Sequence, residues 1–101
     1  MPIITVTSEN FKTEVLNSPK PVLLDFWAAW CPPCMMQSPI IDEIANERAD
    51  IVVGKINTDE QPELGEMFDV ENIPTLIIMR GGEVRSRLVG LHTKEQILAL
   101  L

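Results

Sequence analysis

Apolar residues along the chain form short continuous runs, separated by segments in which they recur every three or four positions. The continuous runs are rich in Val, Ile and Leu, which is typical of strands buried in a sheet. Five strands are predicted on this basis: Ile3–Val6, Val22–Trp27, Ile51–Ile56, Thr75–Met79 and Val84–Val89. Gly81-Gly82 lies between the last two strands and supplies the positive φ angles of a tight hairpin turn.

The segments with helical spacing predict four helices, each with one apolar face. Their ranges are about Glu9–Asn17, Cys31–Arg48, a short segment that Asp59 caps, and Thr93–Leu101. The apolar face of the second helix is expected to consist of Met36, Ile40, Ile41, Ile44 and Ala45. In the last helix, Thr93 and Gln96 have the spacing of a capping box.

The order of these elements, β-α-β-α-β-α-β-β-α, predicts an α/β fold. Because crossover connections place helices over a parallel sheet, we expect a central mixed β-sheet flanked by helices on both faces, with an antiparallel C-terminal hairpin. A length of 101 residues suits a single domain over positions 1–101, and no linker or repeat divides it.

The net charge of −7, from 8 basic and 15 acidic residues, narrows the classes of partner. Nucleic acids and anionic membrane surfaces bind basic faces, so we expect neither as a partner. The apolar runs are too short to span a bilayer, and the N-terminal residues lack the basic and apolar regions of a signal peptide. The expected location is the cytoplasm, where a close pair of cysteines is more often redox-active or metal-binding than structural.

Cys31 and Cys34 are the only cysteines, and they lie where a predicted strand gives way to a helix. The positive end of a helix favours an anion, so the Cys31 thiolate is expected to be the attacking nucleophile. Cys34, one turn further on, is expected to be more buried and to resolve a mixed disulfide on Cys31. Pro32 and Pro33 occupy the first helical turn, where a missing N–H costs little.

Two other uses of the cysteine pair have less support. Zinc takes four ligands, usually Cys and His, and His92 is the only histidine in the chain, so no metal site is expected. A purely structural disulfide between residues one helical turn apart would close almost no loop and would constrain the unfolded chain little.

Asp25 interrupts the apolar run Val22–Trp27, a short distance before Cys31. If the side chain is buried its pKa should rise, which would suit a general base that deprotonates Cys34. A surface-facing or bulged aspartate is the alternative. Lys55, in the neighbouring strand, is either the charge partner of Asp25 or a lysine that extends to solvent at a strand end.

The chain resembles the thioredoxin family over essentially its whole length. The resemblance rests on segments in family order: Asp25–Cys31 with Cys34, Pro39, Asp59, Ile73-Pro74-Thr75, Gly81–Val84 and Val89-Gly90. It implies the thioredoxin fold and a thiol–disulfide oxidoreductase that reduces protein disulfides. The implied catalytic residues are a nucleophilic Cys31, a resolving Cys34, and a buried proton acceptor Asp25 beside Lys55. The implied substrate groove is rimmed by Trp30, Ile73, a cis Pro74 that packs against the disulfide, Gly90 and Leu91.

The resemblance also implies the partners, which are disulfide-containing proteins and a thioredoxin reductase or equivalent donor. No cofactor is expected besides the redox-active disulfide, and the chain is expected to be a monomer. Pro32 and Met35 depart from the family, where glycine and lysine are usual, and these changes bear on redox poise and partner choice. The alternatives to a reductase are a binding subunit with incidental cysteines, and an oxidant or isomerase of an exported compartment.

Overall fold

The computed structural model describes residues 3–101 and contains a five-stranded mixed sheet. The strands are β1 (Ile4–Thr5), β2 (Val22–Trp27), β3 (Val52–Asn57), β4 (Thr75–Arg80) and β5 (Glu83–Val89), arranged in the order β1-β3-β2-β4-β5. β3 pairs in parallel with both β1 and β2, whereas β4 is antiparallel to β2 and to β5. The predicted fold class is confirmed, including the C-terminal hairpin, whose Gly81 and Gly82 have φ angles of +57° and +78°.

In the described part of the chain, three α-helices and one short π-helix accompany the sheet: the π-helix Lys12–Leu16, α1 (Pro32–Glu47), α2 (Pro62–Met67) and α3 (Lys94–Leu98). The Thr93–Gln96 capping box is present at the start of α3. Asp59 does not cap α2, however, because Gln61 occupies the N-cap position and makes no side-chain cap bond. Within residues 3–101, no helix has the length and apolar character needed to cross a membrane.

Side chains alternate between two apolar cores, one on each face of the sheet. On one face Phe26 and Phe11 contact the ring of Phe68 edge-on, with centroids 5.5 and 5.7 Å away. On the other face Leu23 packs with residues of α1 and α3. Asp25 follows Leu23 by two positions, so its side chain points toward α1, the helix that begins at the cysteine pair.

The buried stripe of α1 differs from the predicted one at its beginning. Met36 is 61% exposed, whereas Gln37 is 0% exposed and lies on the inner face. The stripe begins at Cys34, so a helical step of three residues brings Gln37, not Met36, onto the buried side. Hydrophobicity alone gave the wrong residue here, because it ranks methionine above glutamine.

Candidate active site

Cys31 and Cys34 form a disulfide at the N-terminus of α1. Cys31 is the N-cap residue, and its Sγ accepts a hydrogen bond from the Cys34 N–H at 3.3 Å. Pro32 and Pro33 have no N–H, and the Met35 N–H donates to the Cys31 carbonyl oxygen instead. A single backbone amide of the first turn therefore interacts with the sulfur of Cys31.

Both cysteines are covered in this disulfide form, Cys34 completely and Cys31 to 4% exposure. They pack with Ala28 and with the half-buried side chains of Trp27 and Ile73. The Cys31 Sγ lies 3.7 Å from the Ile73 carbonyl oxygen, a contact that could become a hydrogen bond once the sulfur carries a proton. The disulfide thus lies against the segment that precedes Pro74.

Asp25 is buried, with 1% of its surface exposed, and is not the surface-facing or bulged aspartate of the alternative interpretation. Neither of its carboxylate oxygens has a hydrogen-bond partner within residues 3–101. This burial raises the pKa of Asp25 from 3.8 to about 7, while the positive charge of Lys55 opposes the shift and the Asp42 carboxylate adds to it. The group can therefore exchange a proton near neutral pH.

A cavity of about 280 Å³ brings Asp25 and the resolving cysteine together. Its lining consists of Asp25, Trp27, Cys34, Met35, Ser38 and Lys55. A carboxyl group and a sulfur that border the same cavity can exchange a proton directly or through water. This arrangement is the main chemical feature of the site.

Lys55 is opposite Asp25 in the β2–β3 register, but its ammonium group is bonded elsewhere. Its Nζ donates to Ser38 Oγ at 2.6 Å and to Asp42 Oδ1 at 2.8 Å, both on α1. Lys55 therefore acts on Asp25 through its field and not through a direct ion pair. Neither Ser38 nor Asp42 was predicted from the sequence as a site residue, although their spacing of four residues places them on one face of α1.

Trp30 projects beside the disulfide and is 69% exposed. Its indole Nε1 donates to Asp59 Oδ2 at 2.9 Å, which fixes the ring although most of it is in solvent. This contact is the role that the structure gives Asp59 in place of the predicted helix cap. The result is a large, oriented apolar surface next to Cys31.

Two of the other predicted rim segments, Ile73-Pro74 and Gly90-Leu91, are joined by a backbone hydrogen bond. The Ile73–Pro74 peptide bond is cis, as the family resemblance implies. The Gly90 N–H donates to the Pro74 carbonyl oxygen at 2.8 Å, so the segment after β5 is tied to the segment before β4. Leu91, the next residue, is 43% exposed.

His92 is half-buried and lies in the loop before α3. Its Nδ1 lies 2.8 Å from the Gly90 carbonyl oxygen, and both its backbone N–H and its carbonyl bond to the Gln37 side chain. Within residues 3–101, no group of three or more His, Cys, Asp or Glu side chains is placed to hold a metal ion.

A redox-capable cysteine pair at a helix N-terminus, above a buried carboxyl group, defines a thiol–disulfide oxidoreductase. Comparison with known proteins agrees, since the family model described as Thioredoxin matches residues 2–101. The chain belongs to the thioredoxin family. It is accordingly a protein-disulfide reductase whose redox-active group is the Cys31–Cys34 disulfide.

Its relatives include thioredoxins from several bacteria. The thioredoxin of Mycobacterium tuberculosis (strain ATCC 25618 / H37Rv) is 49% identical over 96 residues, which cover 94% of this chain and 83% of the relative. The thioredoxin of Allochromatium vinosum is 47% identical, covering 98% of this chain and 94% of the relative. That of Alicyclobacillus acidocaldarius is 46% identical, covering 97% and 93%.

Proposed function

We propose that the Cys31-Pro32-Pro33-Cys34 segment is the active site and that it reduces disulfides of partner proteins in two exchange steps. The observation that carries this proposal is the shared cavity of Asp25 and Cys34 directly beneath the disulfide. A structural disulfide would need no titratable carboxyl group in this position. The exchange needs no bound cofactor, because the cysteine pair itself carries the two electrons.

In the first step the Cys31 thiolate attacks one sulfur of the substrate disulfide. A mixed disulfide forms on Cys31, and the second substrate sulfur leaves as a thiolate. The N-cap position favours Cys31 as the nucleophile, because its sulfur accepts the Cys34 N–H and lies at the positive end of α1.

In the second step the Asp25 carboxylate accepts the proton of the Cys34 thiol, and the resulting thiolate attacks the Cys31 sulfur. The bond from Cys31 to the substrate breaks, the Cys31–Cys34 disulfide forms, and the substrate leaves with both sulfurs reduced. Lys55 lowers the pKa of Asp25, because its positive charge favours the ionised carboxylate that accepts the proton.

We place the docking of substrate on the rim formed by Trp30, Ile73, Pro74, Gly90 and Leu91. An extended substrate segment can pair with the backbone at Ile73, beside the sulfur that it must reach. Regeneration by a thioredoxin reductase or an equivalent dithiol donor completes the cycle. We place this cycle in the cytoplasm, a reducing compartment, with the chain acting as a single monomeric thioredoxin domain over residues 1–101.

Single-cysteine variants test the assignment of the two sulfurs. With insulin as the substrate and dithiothreitol as the donor, Cys31→Ser should abolish turnover. Cys34→Ser should instead accumulate a mixed disulfide through Cys31, which intact-mass and peptide mass spectrometry would locate. The two roles would be reversed if Cys31→Ser trapped substrate on Cys34 and Cys34→Ser trapped none on Cys31.

A further inference from the structure

We propose that Gln37 is a positioning residue that holds the docking loop, defined as Gly90–His92, against the helix that carries the cysteine pair. Through this loop it sets the affinity for protein substrates. The inference rests on the proposed function, in which Gly90 and Leu91 border the substrate groove. It adds a residue on α1 that does not itself touch the substrate.

Gln37 is an unusual occupant of its position. It is 0% exposed, and within residues 3–101 the only other buried polar or charged side chains are Asp25 and Thr75. A buried amide is costly unless both its donor and its acceptor are bonded. A helix that only had to fill this space would do so more stably with an apolar side chain.

Both polar atoms of Gln37 bond to the backbone of a single residue, 55 positions away in the sequence. Nε2 donates to the His92 carbonyl oxygen at 3.1 Å, and Oε1 accepts the His92 N–H at 2.9 Å. This pair resembles the two hydrogen bonds that a neighbouring strand makes to one residue. It fixes the loop backbone in both position and orientation.

The docking loop is held at its other end as well. The Gly90 N–H bonds to the Pro74 carbonyl oxygen at 2.8 Å, and His92 Nδ1 lies 2.8 Å from the Gly90 carbonyl oxygen. Gly90 has a φ angle of +90°, which side chains with a Cβ rarely adopt. Hydrogen bonds therefore run without a break from the Pro74 segment through the loop to α1, and Gln37 provides the last of them.

Loss of Gln37 should affect substrate docking more than disulfide chemistry. His92 is half-buried, so its backbone groups can bond to water when the amide is removed, and the loop can then move away from α1. A protein substrate that lies along the loop would bind less tightly, since ordering the loop opposes binding. A small aromatic disulfide such as 5,5′-dithiobis(2-nitrobenzoate) needs only the cysteine pair.

The test compares Gln37→Met with Gln96→Met, which makes the same replacement at an exposed glutamine. Gln96 Oε1 accepts the Thr93 N–H at 2.9 Å, so the control also removes a hydrogen bond to the backbone near the loop. We expect Gln37→Met to raise KM for insulin about tenfold with kcat unchanged, equivalent to about 1.4 kcal/mol of binding. Its rate constant with the aromatic disulfide should stay within about twofold of the wild-type value, as should all constants of Gln96→Met.

A folded Gln37→Met with an unchanged KM for insulin would overturn the inference, and so would an equal loss toward both substrates. If Gln37→Met does not fold, Gln37→Asn replaces it, because its amide is one methylene shorter and cannot keep both hydrogen bonds to the His92 backbone. That variant should have an intermediate KM, and an unchanged value again overturns the inference.

Leu91→Asp separates this inference from the proposed groove, because it places a charge directly on the rim. If it raises the insulin KM and Gln37→Met does not, the groove stands and the role of Gln37 is wrong. If neither variant changes KM, both proposals are wrong.

Discussion

Replacement of Asp25 by asparagine should stabilise the protein at neutral and alkaline pH, because it removes a buried negative charge. Burial raises the pKa of Asp25 from 3.8 to about 7. At about 1.4 kcal/mol per pH unit, the ionised carboxylate lowers the free energy of unfolding by about 4 kcal/mol relative to the protonated form. Asparagine loses no hydrogen bond in the exchange, because within residues 3–101 neither Asp25 oxygen has a partner.

The pH at which the gain is observed follows from the sign of the shift. The folded protein binds the Asp25 proton more tightly than the unfolded chain, so the stability from this proton is complete below about pH 4 and is lost as the pH rises through about 7. Asp25→Asn should therefore match the wild type near pH 4. At pH 8 it should exceed the wild type by about 4 kcal/mol.

Urea unfolding of the oxidised proteins between pH 4 and pH 8 measures this difference, since the disulfide keeps the cysteines from titrating. Asp50→Asn is a matched control, because Asp50 is exposed and its hydrogen bond from Arg48 lowers its pKa to about 2. That control should give no stabilisation at pH 8. An equal gain for Asp25→Asn at both ends of the pH range would mean that improved packing, and not the buried charge, is the cause.

The same variant should slow catalysis in one step only. Release of the mixed disulfide requires a deprotonated Cys34, whereas its formation requires only the Cys31 thiolate. Rapid mixing of reduced Asp25→Asn with a protein disulfide should show normal formation and slowed release. Slowing of both steps to the same extent would remove Asp25 from the proton transfer.

Two further predictions concern the charges and amides around the site. Lys55→Met should raise the pKa of Asp25, because it removes the cation that opposes the effect of burial; an NMR titration of the carboxyl carbon that showed no upward shift would contradict this. The double change Pro32→Gly with Met35→Lys introduces one backbone N–H and adds a positive charge near Cys31. The thiolate-to-thiol ratio of Cys31 at pH 7 should therefore increase about tenfold, which corresponds to the free energy of one charge-assisted hydrogen bond. Ultraviolet absorbance of the thiolate measures the ratio, and an unchanged value would show that the amides of the first turn do not control it.

The strands and the cysteine pair were predictable because their signals are local. Continuous apolar runs mark β2 and β3, and the two glycines specify the turn between β4 and β5. Asp25 lies within one of these apolar runs, and for this reason the sequence could suggest that its side chain is buried.

The partners of side chains were harder to predict, because they depend on contacts between distant segments. Aspartate is a common helix-capping residue, but the Asp59 side chain bonds to Trp30, which lies 29 residues earlier. The sequence left Lys55 either as the charge partner of Asp25 or as a lysine extending to solvent, whereas its ammonium group bonds to Ser38 and Asp42 on α1. Gln37 was not predicted to be buried, because a polar side chain is not expected on the inner face of a helix. Its burial is possible only because the folded loop provides hydrogen-bond partners for its amide.

The properties of Asp25 connect stability and function in this protein. A general base works best with a pKa near the pH at which it operates, and an exposed aspartate, near 3.9, is too acidic for that purpose. Burial with no hydrogen-bond partner among residues 3–101 brings the pKa of Asp25 to about 7, but the ionised carboxylate then lowers the free energy of unfolding by about 4 kcal/mol. Lys55 limits that cost through its field, and its bonds to Ser38 and Asp42 keep its ammonium group from forming a direct ion pair with Asp25. A direct pair would lower the pKa of Asp25 and return the group to an ordinary, weakly basic carboxylate, so holding the lysine on α1 preserves the base that the second exchange step needs.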